Sequence, residues 1–527
     1  MRNIGFINGK IYISFKPLKT ADGLFASHGR VVYCGSSDVV KQLVSALGGE
    51  IIDLNNKVAM PGFIDAHLHA ESLGLSLATL DLRGVRSIRE LKERLREFAE
   101  KAKTEWVIGR GWDQELFEEK RWPNRWDLDE VIKDRPVILV RVCGHAAVLN
   151  TRGLELTGLI GSRQKEVMRD SSGEATGVVF ESAAEIARAK SLESLSEEDY
   201  AHFLKVAQDH LLSQGVTAVG YVSCGLKPLK ALLSLWSKNE LRVRFRVYLN
   251  HIDNDVDVVN LVRRLGMKLG FGDPYLRVMG IKVIADGGLG ARTAWLSEPY
   301  EDSPSTSGYP VVDRDILTKV AKLVDEAGLQ MSIHAIGDKT VEMALDIYKD
   351  LPLTKKLRHR IDHVSLLRDD QLKEMSNIGA VAVVQPHFII TDWWAANRVG
   401  TRRTGWLYRF KSMIEAGIPV AFSTDAPVEP VNPWRTVYAA VTRGKYDNVP
   451  YYGPTKHEVF NITEALHAYT VGSAYAIHEE RELGSLMPGS FADLIILDRD
   501  PLAVPENELK EVKVIATYIG GSKVWPA

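Results

Sequence analysis

Cysteine, net charge and long apolar runs are all scarce in this chain of 527 residues. The three cysteines, Cys34, Cys143 and Cys224, lie far apart, so they outline neither a disulfide framework nor a zinc knuckle. A net charge of −2 gives no electrostatic case for nucleic-acid binding. No apolar run could span a bilayer, and the N-terminus does not have the pattern of a signal peptide. These absences favour a cytoplasmic protein that binds neither nucleic acid nor membrane.

The two chain ends differ in character from the middle. Residues 1–59 and the stretch from 484 to 527 consist of short strand-like runs, with turn signals at Asn8-Gly9, His28-Gly29 and Gly520-Gly521. Because 527 residues exceed what one core usually serves, we expect at least two domains. Both ends are predicted to be all-β.

The middle of the chain alternates apolar strands with amphipathic helices, the pattern of repeated βα units. Helices are predicted, for example, at 316–328 and 370–379. The predicted strands are 62–69, 215–223, 241–250, 276–285, 329–336, 359–367, 380–388 and 418–427. Eight such strands predict an α/β fold of the (β/α)₈ barrel type, in which the active site lies at the C-terminal ends of the strands.

The first connection of this barrel is too long for one crossover helix. Residues 72–212 contain a predicted helix at 87–103 and predicted strands at 104–112 and 135–150. We predict that this segment is an inserted cap subdomain near the barrel mouth.

The tripeptide His67-Leu68-His69 ends the first predicted strand. Residues two apart on a strand share a face, so both imidazoles can bind one divalent cation. Other ligand-type side chains fall at or near the ends of further strands, namely Lys282, His334, His363 and Asp425. Four imidazoles and a carboxylate suit zinc, and manganese, iron or nickel would also be accepted.

Lys282 and Asp425 each have two interpretations. As an ammonium, Lys282 would repel cations, and spacing alone favours a simple pair with an acidic neighbour such as Asp286. As a carbamate formed with CO₂, Lys282 could instead bridge two metals. Asp425 could coordinate a metal and shuttle a proton, or it could cap a helix after a turn.

Nine motifs, spread over nearly the whole chain, carry a family resemblance. They are PGFIDAHLHA (61–70), GRGWDQ (109–114), GHAAVLN (144–150), IKVIADGGLGARTAWLSEPY (281–300), SIHAIGD (332–338), RIDHVSLL (360–367), VVQPHF (383–388), STDAPVEPVNPW (423–434) and SLMPGSFADLIILD (485–498). In this order they resemble the metal-dependent amidohydrolase superfamily, in the branch similar to YtcJ and to N-substituted formamide deformylase.

The resemblance implies both a domain plan and a metal site. A barrel over 60–483 would carry the metal, and residues 1–59 with 428–527, mainly 484–527, would form a small β-sandwich. The implied ligands are His67, His69, Lys282, His334, His363 and Asp425. Lys282 matches the position of a carboxylated lysine that bridges two metals in many relatives, so two Zn(II) ions are expected. Other branches hold one metal.

Six residues are candidates for substrate contact: Trp112, Asp113, His145, Arg292, Gln385 and His387. Each also has a structural interpretation, such as packing for Trp112 and His145 or loop capping for Arg292. Asp65, Asp338 and Asp362 adjoin ligand positions and could orient imidazoles or bond nearby backbone.

The predicted function is hydrolysis of a non-peptide C–N bond in an amide-like small molecule, with Asp425 moving the proton to the departing amine. One alternative is attack on an ester, lactone or cyclic imide by the same site. Another is a non-catalytic binding protein that keeps the barrel. A small-molecule substrate is the expected partner, and a homo-oligomer is compatible with the sequence.

Overall fold

The computed structural model describes residues 3–102, 104–142, 145–253 and 256–526. The chain divides into two compact units. The larger comprises Met1–Ala70, Gln208–Leu229 and Leu233–Ala527, and the smaller comprises Glu71–Ala207 and Lys230–Leu232. Cys143 and Gly144, within the predicted strand 135–150, lie outside the described residues.

Eight parallel strands form a nearly closed barrel in the larger unit, and each pairs with the next along the chain. They are β1 (Phe63–Leu68), β2 (Val216–Cys224), β3 (Arg244–Asn250), β4 (Leu276–Ile284), β5 (Gln330–Ala335), β6 (Arg360–His363), β7 (Val381–Val384) and β8 (Val420–Phe422). Beyond β8, the backbone N–H of Asp425 donates to the carbonyl of His67 over 2.9 Å, and that of His69 donates to the carbonyl of Ala426 over 2.9 Å. The predicted (β/α)₈ barrel is confirmed.

The barrel strands are apolar along almost their whole length because both faces are covered. Every residue of β1 and β7 is buried. Helices lie between strands, and the helix Arg314–Ala327 shows why they begin and end where they do. The Asp313 carboxylate caps its first turn, and Gly328 ends it with φ of 70°. Others in this unit are Leu226–Ser237, Val258–Arg264, Asp338–Lys349, Asp369–Ile378, Ala395–Arg403, Phe410–Glu415, Pro433–Thr442 and Ile462–His467.

Three barrel strands, β6, β7 and β8, end four or five residues earlier than the sequence predicts. β6 stops at His363, where φ is 79°, and Val364 follows with φ of 46°. β8 stops at Phe422, and Asp425 has φ of 60°. Residues other than glycine rarely adopt this left-handed backbone conformation, and those that do cluster at functional sites. The chain therefore leaves the strand where predicted ligands occur.

Both chain ends build one β-sandwich, as predicted. Strands Arg30–Gly35, Gly23–Ser27, Ile4–Ile7 and Glu50–Asp53 form one sheet in that order. The other sheet has the order Ser522–Trp525, Val514–Ile519, Leu494–Leu497, Val58–Pro61, Lys10–Phe15 and Leu18–Ala21. Side chains from both sheets, such as Phe6, Ile13, Leu494 and Tyr518, share one buried core.

The smaller unit contains a six-stranded sheet. Its order is Val167–Arg169, Ala175–Phe180, Ala146–Leu149, Val137–Arg141, Val107–Trp112 and Leu80–Asp81. The helices Ile88–Ala99, Arg125–Asp129, Thr151–Leu156 and Glu181–Glu193 accompany it. The prediction of one strand over 135–150 is wrong, because Val137–Arg141 and Ala146–Leu149 are antiparallel partners. The sequence held a signal of the reversal, because Arg141, Gly144 and His145 interrupt the apolar run. In the part of the chain that the structure describes, no helix has the length and apolar character needed to cross a membrane.

Candidate metal centre

The structure brings His67, His69 and Asp425 together at the C-terminal end of the barrel. Nε2 of His67 lies 3.1 Å from Oδ1 of Asp425, and Nε2 of His69 lies 3.2 Å from the same oxygen. One potential ligand atom from each residue falls within 4.8 Å of the others. His67 lies near the end of β1, and His69 follows directly after the last residue of that strand, two positions from His67. The backbone bonds between Asp425 and His67 hold the carboxylate beside them.

The chemistry of this trio suits a cation. Oδ1 of Asp425 is buried, and the two Nε2 atoms beside it make no hydrogen bond of acceptable geometry with it. Buried polar atoms are normally partnered, so this oxygen and the two imidazole nitrogens that face it are suited to share a metal ion. Donor atoms that share a tetrahedral zinc ion at ~2 Å lie roughly 3.3 Å apart, close to the spacing seen here. The residues present therefore fit a divalent metal.

The buried imidazoles are held in the form that can bind a metal. Burial, helped by the nearby Lys282, lowers the pKa of His67. Burial and the neighbouring His334 ring lower the pKa of His363 far more. Burial opposes ionisation of Asp425, yet the His67 and His69 imidazoles keep its pKa well below the usual range. Neutral imidazole and ionised carboxylate are the ligating states.

His334 and His363 stand beside the trio. The His363 ring centroid is 4.9 Å from that of His67 and 4.3 Å from that of His334. Nδ1 of His363 donates to Oε1 of Gln385 over 2.9 Å, and the Gln385 amide donates in turn to Ser423. This fixes the tautomer, so Nε2 keeps its lone pair. Nε2 of His334 lies 3.3 Å from the carbonyl of Gly287.

Lys282 is 2% exposed and pairs with Asp362. Burial lowers the pKa of Lys282, and the Asp362 charge opposes this shift. The acidic partner of Lys282 is thus Asp362 and not Asp286. Asp286 instead accepts backbone N–H groups, among them that of Gly337 at 2.9 Å.

Asp362 lies at the centre of a buried polar network. It also accepts from Arg360 at 2.8 Å and from Ser332 at 2.7 Å, and its Oδ2 is 2.9 Å from Nδ1 of His67. Burial would raise the pKa of Asp362, but the charges of Arg360 and Lys282 outweigh it and hold that pKa well below its usual range. Asp362 therefore supplies a fixed negative charge in contact with both His67 and Lys282.

Asp65 and Asp338, which also adjoin ligand positions, have different partners. Asp65 accepts from the Thr424 hydroxyl at 2.5 Å and from the His67 backbone at 3.2 Å. Burial raises the pKa of Asp65 to about 7. Asp338 accepts from the backbone of Ser297 and from Arg368, both at 3.0 Å. Neither carboxylate bonds an imidazole ring.

Sequence analysis predicted His387 as a candidate for substrate contact but did not predict its partner, Glu429. Nδ1 of His387 contacts Oε2 of Glu429, which is 5% exposed, and the Thr391 hydroxyl donates to the other oxygen over 2.6 Å. Nearby, the Tyr408 hydroxyl donates to Asp392 over 2.6 Å. The one available signal was a glutamate within the otherwise apolar run APVEPV (426–431). Glutamate is almost never buried unpaired.

The remaining predicted substrate residues have clear local surroundings. Arg292 forms a two-pronged pair with Asp302, with distances of 3.0 and 2.9 Å. In the smaller unit, Trp112 is fully buried and donates to the Leu139 carbonyl over 2.8 Å, which is the position of a packing residue. Asp113 accepts from Arg141 at 2.7 Å. His145 is exposed and lies 3.1 Å from Glu181. Their substrate roles stay predictions.

Asp392→Asn should stabilise the fold more at pH 7 than at pH 4. Burial, with a smaller contribution from Glu429, raises the pKa of Asp392 to about 6, against 3.8 when unfolded. Between these values the folded chain keeps a proton that the unfolded chain releases, so raising the pH costs wild-type stability. The free energy of unfolding of the wild type falls by at most about 1.4 kcal/mol per pH unit in this window. Asparagine keeps an acceptor for Tyr408 without the charge. Urea unfolding across this window measures the difference between variant and wild type, with the partly exposed Asp346→Asn as control. A difference that does not grow with pH would contradict the prediction.

Comparisons with known proteins show which family the chain resembles. Residues 50–524 match the model of the amidohydrolase family. YtcJ of Bacillus subtilis (strain 168) is 30% identical over 98% of both chains. The N-substituted formamide deformylase of Arthrobacter pascens is 24% identical over 99% of this chain and 98% of its own. The crystal structure of an uncharacterized metal-dependent hydrolase from Pyrococcus horikoshii OT3 is 43% identical, with a TM-score of 0.84, covering 96% of this chain and 99% of that one.

Proposed function

The chain belongs to the amidohydrolase family, and from this premise we propose that it hydrolyses a non-peptide C–N bond in an amide-like small molecule. The observation that carries the proposal is the convergence of His67, His69 and Asp425 at the C-terminal end of the barrel, with one potential ligand atom from each within 4.8 Å of the others. Deformylation by one relative makes N-substituted formamides the first substrate class to test.

His67, His69 and Asp425 would hold one divalent ion, with zinc preferred by this mixture of imidazole and carboxylate. His334 and His363 lie beside them and would complete a second position with Lys282. When bound, the metal would polarise the carbonyl and lower the pKa of its water towards neutrality. Manganese, iron or nickel would be accepted by the same ligands.

The protein's own residues would handle the proton. The pKa of Asp425 lies well below its usual range, and its carboxylate lies beside the His67 and His69 imidazoles, so it would be the base that accepts the proton of the attacking water. An amine leaves poorly unless it is protonated, and the proton taken by Asp425 would serve that need. Gln385 fixes the His363 ring, and Asp362 fixes His67 from below. Arg292, His387 and the residues of the smaller unit stay candidates for substrate contact.

Lys282 would act as a carbamate that supplies the second anionic ligand. Burial lowers the pKa of its amine, which favours the uncharged form that adds CO₂. The Asp362 contact favours the ammonium instead, so the carbamate requires a bound cation to offset the added negative charge.

Lys282→Ala should therefore lose at least one equivalent of metal per chain, since the anionic ligand that Lys282 would supply is removed. Short carboxylates such as acetate or propionate should restore part of both metal content and activity, because they replace the missing anion. Metal analysis by plasma mass spectrometry and turnover with added carboxylate check this, with Lys349→Ala as an exposed control. Unchanged metal content in the Lys282 variant would show that the lysine is not a ligand.

The experiment for the proposed function is a substrate screen with zinc- or manganese-loaded protein. The panel contains N-substituted formamides, N-acyl amino acids and cyclic amides, each with a matched ester. Amide turnover that is abolished by a chelator and restored by metal is the expected result. Cleavage of esters or lactones alone would favour the alternative chemistry. A metal-free protein without turnover would instead favour a binding role.

A further inference from the structure

We propose that His387, oriented by Glu429, is the last proton carrier of this hydrolysis and delivers the proton to the departing nitrogen. The role rests on the proposed C–N cleavage. The observation that points to it is an imidazole–carboxylate pair joining the segments after β7 and β8, both of which also contribute to the metal centre.

His387 and Glu429 both lie close in sequence to residues that build the metal centre. On the β7 side, Gln385 accepts from the His363 ring, and His387 follows two residues later. On the β8 side, the backbone N–H of Val428 donates to the carbonyl of Asp425 over 2.9 Å, and Glu429 follows directly. His387 and Glu429 therefore follow the C-terminal ends of β7 and β8, the face at which (β/α)₈ barrels hold their active sites.

The contacts of Glu429 leave His387 with one ring nitrogen for chemistry. Both Glu429 oxygens are engaged, one by the His387 ring and the other by the Thr391 hydroxyl at 2.6 Å. The carboxylate is buried and therefore fixed in place. The proton on Nδ1 faces Glu429, so Nε2 presents a lone pair. A fixed imidazole with one free nitrogen can take up a proton and release it again.

The proposed hydrolysis moves one proton from the attacking water to the leaving nitrogen and breaks one C–N bond. Asp425 takes a proton from the attacking water as the oxygen bonds to the carbonyl carbon. That proton passes through water to Nε2 of His387, and the imidazolium is paired with Glu429. The C–N bond then breaks, its electron pair leaves with nitrogen, and Nε2 gives the proton to that nitrogen. His387 and Asp425 both return to their starting states.

Leaving-group dependence tests the role of His387. The probes are N-aryl formamides whose anilines differ in basicity, together with aryl formate esters that need no proton on leaving. His387→Gln should lower kcat roughly 10²–10³-fold for basic anilines, and by less than about tenfold for nitroaniline and for the esters. Added imidazole should restore part of the His387→Ala activity on basic anilines. His457→Gln, at another imidazole–carboxylate contact, serves as the control and should match wild type.

Glu429→Gln tests the orienting contact without relying on turnover. Proton NMR of the wild type should show a downfield Nδ1 proton, and both His387→Gln and Glu429→Gln should lack it. Glu429→Gln should also share the leaving-group dependence in weaker form. Unchanged melting temperatures show that both variants are folded.

Two results would overturn the role of His387. One is an equal loss of kcat for every leaving group, which marks a structural residue. The other is a downfield signal that persists in the Glu429 variant. Wild-type protein that cleaves the esters but none of the formamides would instead refute the proposed C–N hydrolysis, and this role with it.

Discussion

Replacing His67 and His69 together with alanine should strip the metal and abolish turnover while the barrel still folds. The two imidazoles supply two of the three converging ligand atoms. The second position proposed at His334, His363 and Lys282 would then lose the neighbouring cation that offsets the Lys282 carbamate, so it should empty as well. The fold should survive because the barrel and sandwich cores are built from apolar side chains elsewhere. We expect metal content below about one-tenth of wild type, with no detectable product.

Metal-dependent stability gives a second readout of the same variant. A ligand that binds only the folded state stabilises it, by about 4 kcal/mol at a thousand times its Kd. Added zinc should therefore raise the melting temperature of metal-stripped wild type and leave that of the double variant unchanged. The exposed pair His202→Ala and His457→Ala is the matched control and should behave as wild type. A double variant with full metal content would refute the ligand assignment.

Asp425→Asn should lower kcat by roughly 10²–10⁴-fold, the usual range for a lost proton-transfer group. The substitution removes the basic carboxylate and keeps its size. Asparagine tolerates left-handed backbone, so the φ of 60° at this position is preserved. Some metal should remain, because His67 and His69 are intact.

Metal analysis and kcat on one reactive substrate, measured on the same preparation, separate the two roles of Asp425. Loss of turnover with metal retained indicates proton transfer, and loss of both in proportion indicates coordination alone. Asp500→Asn, in the sandwich and paired with Lys10, controls for the change of charge. Wild-type turnover in Asp425→Asn would contradict any catalytic role for the residue.

The sequence by itself determined the barrel, the family and the positions of the ligand candidates. Buried parallel strands are continuous apolar runs, so β1 to β8 could be placed within a few residues. The spacing of His67 and His69 fixed their common face, because strand side chains alternate strictly. The alternation of side chains along a strand is a local property, so it does not depend on the tertiary arrangement.

Only the tertiary structure decided which distant charges meet. Lys282 pairs with Asp362, 80 residues away, and His387 pairs with Glu429, 42 residues away. Neither sequence separation follows from the repeat of a helix or a strand, so no local pattern could predict these two pairs. The early ends of β6 and β8 also depend on long-range packing, since His363 and Asp425 adopt φ values that their own side chains disfavour. Local preference sets where a strand can run, whereas burial of charge inside the barrel decides which partner each side chain meets.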